Sequence, residues 1–87
     1  MEFEWNEQKA ESNLSKHGVS FAEAKTVFED HLYVDFYDPD HSYNEHRYII
    51  IGESLQGRLL LVSYTERNNR IRIISVRKVT NKERKTC

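Results

Sequence analysis

Arginine side chains are the groups in this sequence best suited to act on a phosphate ester. Arg47, Arg67 and Arg77 fall within stretches that read as β-strands. A guanidinium group offers paired N–H donors that match two oxygens of a phosphate group. If the strands bring these arginines to one face of a sheet, we expect that face to bind phosphate. It would also stabilise the charge that builds up on phosphorus during cleavage.

Cleavage also requires groups that accept and donate protons. The candidates are His17, His31, His41, His46, Glu45 and Glu66. Among them His17 stands out because it follows Lys16 at the end of a predicted helix. Its structural alternative is to bind the terminal carbonyls of that helix and complement the helix dipole. His41 lies between an acidic residue and a serine, and we interpret it as a loop residue.

The sequence shows no recognisable set of metal ligands. Cys87 is the only cysteine, so no cysteine-based zinc site can be assembled. Asp38, Asp40 and His41 lie close together, but their spacing matches no known metal cage. We therefore predict an activity that uses no metal and no other cofactor.

The two halves of the chain carry opposite charge. Residues 1–45 contain three Lys/Arg against eleven Asp/Glu, a net charge of −8. Residues 46–87 contain ten Lys/Arg against three Asp/Glu, a net charge of +7. This division favours a protein that presents a positive face to a polyanion or to an acidic partner. The alternative is that the two halves pair within the fold and their charges cancel.

Capping residues and hydrophobic spacing divide the chain into elements. Asn6 is typical of a helix N-cap and Gly18 of a helix end, and Ser20 with Glu23 forms a capping box for a second helix.

Strands are predicted over residues 1–5, 32–37, 45–53, 58–66 and 70–78. Thr80 is expected to cap a short last helix. The order β-α-α-β-β-β-β-α predicts an α+β fold, with an antiparallel sheet, two N-terminal helices packed on one face and a short C-terminal helix.

Strand alternation sorts the side chains of this sheet onto two faces. One consistent register brings together Arg47, Ser63, Thr65, Arg67, Ser75 and Arg77. The same register places on the opposite face, against the helices, Leu60, Val62, Ile74 and Val76. A β-bulge in any strand would change this assignment, because a slip of one residue exchanges the faces.

Length and hydropathy limit the remaining classes of protein. A chain of 87 residues has room for one domain, residues 1–87. Its longest apolar runs, residues 48–51 and 59–62, are far shorter than the roughly 20 residues that span a bilayer. The acidic N-terminus lacks the basic and apolar regions of a signal peptide. We predict a cytoplasmic protein that does not bind membranes.

Eight segments, in order along the chain, carry a resemblance to a known family. They are Trp5–Lys9, Asn13–Phe21, Asp38–Ser42, Glu45–Tyr48, Gly57–Leu60, Tyr64–Arg67, Ile71–Lys78 and Glu83–Arg84. Together they resemble the BrnT toxin family, and they cover so much of the chain that the likeness does not depend on one short motif. The resemblance implies a fold similar to the RelE-type ribonucleases and cleavage of RNA that arrests translation and growth.

The resemblance also implies partners and site residues. The implied RNA and transition-state contacts are Arg47, Arg67 and Arg77, and the implied proton-transfer groups are Lys16 and His17. The further RNA-binding positions are Arg72, Lys78 and Arg58. The implied partner is a BrnA-like antitoxin whose ribbon-helix-helix segment binds operator DNA, so that the toxin reaches DNA only through the antitoxin.

From these observations we interpret the protein as a metal-independent endoribonuclease toxin. The ribose 2′-hydroxyl would attack the adjacent phosphorus and leave a 2′,3′-cyclic phosphate and a 5′-hydroxyl. Arg77 is the first catalytic candidate because it ends the last strand, where the basic tail begins. One alternative is a non-catalytic RNA- or antitoxin-binding module, a decayed toxin that acts as a co-repressor. Another is a basic face that serves only to bind an acidic segment of the antitoxin.

Overall fold

Two α-helices and five β-strands make up the computed structural model, which describes residues 2–41 and 45–80. The elements are β1 (Glu2–Glu4), α1 (Glu7–His17), α2 (Phe21–Val27), β2 (Val34–Tyr37), a 3-10 helix (Pro39–His41), β3 (Arg47–Glu53), β4 (Leu59–Arg67) and β5 (Arg70–Lys78). The predicted α+β class is confirmed. The short helix predicted after Thr80 lies outside the described residues. No helix within the described part of the chain is both long and apolar enough to cross a bilayer.

The ends of the two helices lie at the predicted capping residues. The Asn6 side chain accepts a hydrogen bond from a backbone N–H of the first turn of α1, and α1 ends where Gly18 adopts a φ of 68°. The Ser20 hydroxyl accepts a hydrogen bond from the Glu23 N–H at 3.0 Å. The Glu23 carboxylate does not complete the capping box, because it turns into the protein and binds Arg58.

The strands form one mixed sheet in the order β1-β5-β4-β3-β2. The three pairings among β2, β3, β4 and β5 are antiparallel, and Asn68 and Asn69 take positive φ values in the turn between β4 and β5. In contrast, β1 runs parallel to β5. The prediction of a wholly antiparallel sheet is therefore wrong at this edge. Strands joined by tight turns must be antiparallel, whereas β1 pairs with a strand far along the chain, and no turn fixes its direction.

The core lies between the helices and one face of the sheet, which we call the helix face. Its buried apolar residues are Val19, Phe21, Ala24, Val27, Ile50, Leu60, Val62, Tyr64, Ile71, Ile73 and Val76. Leu60, Val62 and Val76 occupy the face predicted for them. Burial of these side chains is the main favourable contribution to folding in a domain of this size.

Asn13 of α1 fixes the first helix to the edge of β5. Its Nδ2 donates to the Val19 carbonyl at 3.0 Å and to the Val76 carbonyl at 2.9 Å, and its Oδ1 accepts from the Val76 N–H at 3.1 Å. Since β1 pairs with residues 70–72 of β5, no strand among residues 2–41 and 45–80 pairs with Val76 on that side. The buried Asn13 amide supplies the missing hydrogen bonds.

A β-bulge interrupts β5. Ser63 lies opposite Ser75, and the next residue, Tyr64, lies opposite Ile73, so Ile74 is the extra residue. Ile73 consequently turns into the core, where it is 1% exposed. The prediction that Ile74 packs beneath the helices is wrong, because the bulge places it on the opposite face.

Candidate active site

The sheet face opposite the helices carries all five arginines of the described strands, and we call it the arginine face. Strand alternation and register place on it Arg47, Arg67, Arg70, Arg72 and Arg77. The bulge is the reason that Arg72 belongs to this set, since it brings Arg72 opposite Thr65. The three arginines predicted to share a face therefore do so.

A depression of about 280 Å³ lies on the arginine face. It is lined by Asp38, His41, Arg47, Ile49, Leu61, Ser63, Ile74, Ser75 and Arg77. The two arginines reach it from different strands, Arg47 from β3 and Arg77 from β5. Ser63 and Ser75 are register partners in the middle of the sheet and add hydroxyl groups to the lining. Guanidinium and hydroxyl donors beside apolar side chains form a surface that suits a phosphate carried on a sugar and base.

His41 reaches the same depression from the 3-10 helix after β2. Its Nδ1 lies 2.8 Å from Oδ2 of Asp38. In the tautomer that donates from Nδ1 to the Asp38 carboxylate, Nε2 of neutral His41 keeps its lone pair. Asp38 is itself 9% exposed, and its backbone N–H donates to the Arg47 carbonyl at 2.8 Å. The pair is thus anchored to β3, with the imidazole positioned to accept a proton.

Asp38 and His41 are the candidate site residues that sequence reasoning did not select. From the sequence, His41 is interpreted as a loop residue and Asp38 only as a rejected metal ligand. A signal was present, because side chains three residues apart lie on the same side of a helical turn. Pro39 between them is well suited to the start of such a turn. The sequence does not show that this turn folds over the arginine face.

Two of the predicted arginines on this face are held by carboxylates outside the depression. Arg67 donates two hydrogen bonds to Glu45, at 2.8 and 2.9 Å. This pairing lowers the pKa of the Glu45 carboxyl and raises the pKa of Arg67. Arg72 donates to Glu4 of β1 at 2.8 Å. Neither guanidinium lines the depression.

The other predicted site residues also lie away from the depression. Arg58 pairs with Glu23 and donates to the Gly18 carbonyl at 3.3 Å, and the hydrogen bond to Glu23 raises the pKa of Arg58. Lys78 is exposed at the end of β5. Lys16 and His17 form the end of α1 and do not line the depression. Within the described ranges, no three His, Cys, Asp or Glu side chains converge as a metal site requires.

Comparison with known proteins agrees with the resemblance seen in the sequence. Residues 5–83 match the family model described as the ribonuclease toxin, BrnT, of type II toxin–antitoxin systems. The fold is similar to the crystal structure of the Brucella abortus ribonuclease toxin BrnT, with a TM-score of 0.68 and 23% identity over 93% of this chain and 99% of that chain. No curated protein matches the sequence significantly. The chain belongs to the BrnT family of ribonuclease toxins of type II toxin–antitoxin systems.

Proposed function

We propose that this toxin cleaves RNA on the arginine face, in the depression lined by Arg47, Arg77 and His41. Membership of the family supplies the class of activity. One observation supports the place: two arginines from separate strands line the same depression as a histidine oriented by a carboxylate. The proposal includes the RelE-like relationship and the arrest of translation that the sequence resemblance implies.

The reaction proceeds through the ribose 2′-hydroxyl. Nε2 of His41 removes the hydroxyl proton, and the oxygen attacks the adjacent phosphorus. The bond from phosphorus to the 5′-oxygen breaks, and this oxygen takes up a proton from water in the exposed depression. The products are a 2′,3′-cyclic phosphate and a 5′-hydroxyl. Asp38 stabilises the imidazolium that forms on His41.

Arg47 and Arg77 stabilise the charge that gathers on the non-bridging phosphate oxygens, as electrostatic donors do in other acyl and phosphoryl transfers. Side chains of the depression thereby fill the roles of base and charge stabiliser. We therefore propose that cleavage is independent of metal. Arg67 and Arg72 lie further along the same face and would contact the flanking phosphates of the RNA. Lys78 and Arg58 would be more distant contacts.

Substitution of His41 tests the proposal. Wild-type protein and the His41→Ala variant are incubated with end-labelled single-stranded RNA in excess EDTA. We expect wild-type cleavage with 5′-hydroxyl ends, and a kcat lowered by about 10²- to 10⁴-fold in the variant, the range for loss of a general base. His46→Ala is the matched control, because His46 contacts Tyr37 and does not line the depression.

Each part of the proposal has its own contrary result. Full activity of His41→Ala would overturn the assignment of the base. Ends carrying a 5′-phosphate would overturn attack by the 2′-hydroxyl, and loss of wild-type cleavage in EDTA would overturn metal independence. Induction without the antitoxin separates this enzyme from a non-catalytic binding module, since only the enzyme would arrest growth with loss of RNA.

Membership of a type II toxin–antitoxin family implies an antitoxin partner. We propose that this partner is a BrnA-type protein that neutralises the toxin and carries the DNA-binding segment. The toxin would then reach operator DNA only through the antitoxin, and both would act in the cytoplasm.

A further inference from the structure

An exposed apolar surface lies along β2, at the edge of the sheet far from β1. Leu32 is 87% exposed, Val34 59% and Phe36 45%. A depression of about 670 Å³ is lined there by Asp30, Leu32, Val34, Phe36, Ile51, Gly52, Glu53 and Leu59, and we call it the β2-edge surface. Three large apolar side chains so exposed and so close together mark an interaction surface rather than ordinary surface composition.

The backbone of β2 adds a second feature. β2 pairs with β3 on one side, and no other strand among residues 2–41 and 45–80 pairs with its outer side. An edge of this kind offers backbone N–H and C=O groups to a further strand. Val34 and Phe36 are two residues apart and therefore point to the same face. A strand added to β2 would place its own alternate side chains beside them.

Charge identifies the kind of partner. The lining of the depression contains two acidic residues, Asp30 and Glu53, and no Lys or Arg. RNA phosphates would be repelled by this surface. A second copy of the chain would bring the same negative charges to it. The surface instead matches an extended segment in which apolar residues alternate with Lys or Arg.

We propose that the β2-edge surface binds an extended basic segment of the antitoxin, which joins the sheet as a strand beside β2. This inference rests on the proposed neutralisation by an antitoxin. Phe36 lies opposite Ile49, and Ile49 lines the active-site depression. With strands spaced about 4.8 Å apart, the added strand lies about 10 Å from β3. The bound segment therefore lies beside the RNA site, and its binding there inhibits RNA cleavage.

Removal of the two apolar anchors tests the inference. The probe is the antitoxin encoded beside the gene for this chain, and its Kd is measured by calorimetry. The double variant replaces Val34 and Phe36 with threonine, which has a high strand propensity and leaves the charge of the surface unchanged. We expect its Kd to rise by about 30-fold or more, the loss typical of removed hot-spot side chains. RNA cleavage by the variant is expected to persist but to resist the antitoxin.

Leu55→Thr is the matched control, because Leu55 is 74% exposed but lies outside the β2-edge surface; its Kd is expected to be unchanged. Amide hydrogen exchange of residues 34–37 should slow when the antitoxin is added. An unchanged Kd in the folded double variant would overturn the docking surface. So would a wild-type dimer that the double variant disrupts, since the occupant would then be a second copy.

The readout separates this inference from the ribonuclease proposal. Calorimetry requires no cleavage, so an inactive toxin still reports on the surface. A wild-type chain that fails to bind the antitoxin overturns the proposed neutralisation itself. Tight binding that the double variant retains overturns only the docking surface. If the double variant loses RNA cleavage but keeps its antitoxin affinity, the surface belongs to the RNA site and the inference is wrong.

Discussion

Arg58 on the helix side of the sheet and Arg47 and Arg77 on the arginine face have different surroundings. On the helix side, the Glu23 carboxylate is 6% exposed and is bound by Arg58 and by the Ser54 hydroxyl, the latter at 2.7 Å. On the arginine face, Arg47 and Arg77 line an exposed depression beside a histidine. The same residue type thus fastens a loop to a helix on one side and lines an open depression on the other.

The difference shows that the surroundings of an arginine, rather than its position in the basic half of the chain, indicate its role. A buried carboxylate requires its guanidinium partner, because an unpaired buried charge is costly. The fold therefore depends on Arg58. A partly exposed strand arginine contributes little to stability, and the position of Arg47 and Arg77 in the lining of the depression favours a role in binding a ligand. The predictions below test this division between fold and function.

Among the variants that compare the two faces, the largest expected effect is loss of activity in Arg77→Ala. We expect kcat for RNA cleavage to fall by about 10²- to 10³-fold, as when one electrostatic donor is removed from other active sites. The melting temperature should change little, because Arg77 is only partly buried and lies on the sheet face away from the core. Cleavage of labelled RNA and thermal denaturation measure the two effects.

The kcat of the Arg77→Lys variant should lie between those of wild type and Arg77→Ala, since lysine keeps the charge but loses the paired donors. A fully toxic Arg77→Ala variant would overturn the assignment of Arg77 as a charge-stabilising residue.

The opposite result, a loss of stability with little change in catalysis, is expected for Arg58→Ala. Loss of the partner leaves the Glu23 charge buried, so we expect the melting temperature to fall by about 10 °C or more. The kcat per folded molecule should stay close to that of the wild type, because Arg58 lies outside the depression and its proposed RNA contact would affect KM instead. Replacement of the whole pair, Glu23→Leu with Arg58→Leu, should recover much of the loss because no buried charge remains. An unchanged melting temperature in Arg58→Ala would show that the two faces do not differ in this respect.

Local features of the fold could be predicted from the sequence. The caps at Asn6 and Ser20, the end of α1 at Gly18 and the turn at residues 68–69 each depend on interactions within a few residues. Side-chain chemistry and allowed φ values decide such features without help from the rest of the fold. The presence of strand arginines on a common face follows in the same way from alternation.

Features that depend on distant residues could not be predicted. The parallel pairing of β1, the bulge at Ile74 and the exposure of Phe36 result from how the whole sheet assembles. Asp38 and His41 gain their candidate role only because a short helical turn lies beside β3. Sequence spacing indicates that two side chains can meet, but not which surface they meet on.

A smaller effect on the helix side is expected from Asn13→Asp. A carboxylate cannot donate to the Val19 and Val76 carbonyls, so two buried acceptors would face a negative charge. We expect the free energy of unfolding in urea to fall by about 2–3 kcal/mol, with kcat for RNA cleavage unchanged. Gln8→Glu is the matched control, since it makes the same chemical change on the exposed side of α1. Equal stability of the two variants would show that Asn13 does not anchor the helix.

The smallest expected effect is a difference in acid stability between wild type and Glu23→Gln. The Arg58 hydrogen bond, assisted by Ser54, holds the pKa of the Glu23 carboxyl below its usual value. Because the pKa is lower in the folded state, ionised Glu23 contributes stability that is fully present above the unfolded-state pKa of about 4.3. That contribution is lost as the pH falls through the lower, folded-state pKa.

Urea unfolding across this pH range measures the effect. The free energy of unfolding should fall more steeply with decreasing pH for wild type than for Glu23→Gln. Asp30 and Glu45, whose carboxyls also have lowered pKa values, are retained in both proteins, so the difference between the curves isolates Glu23. Parallel curves would mean that the buried pair does not couple folding to protonation.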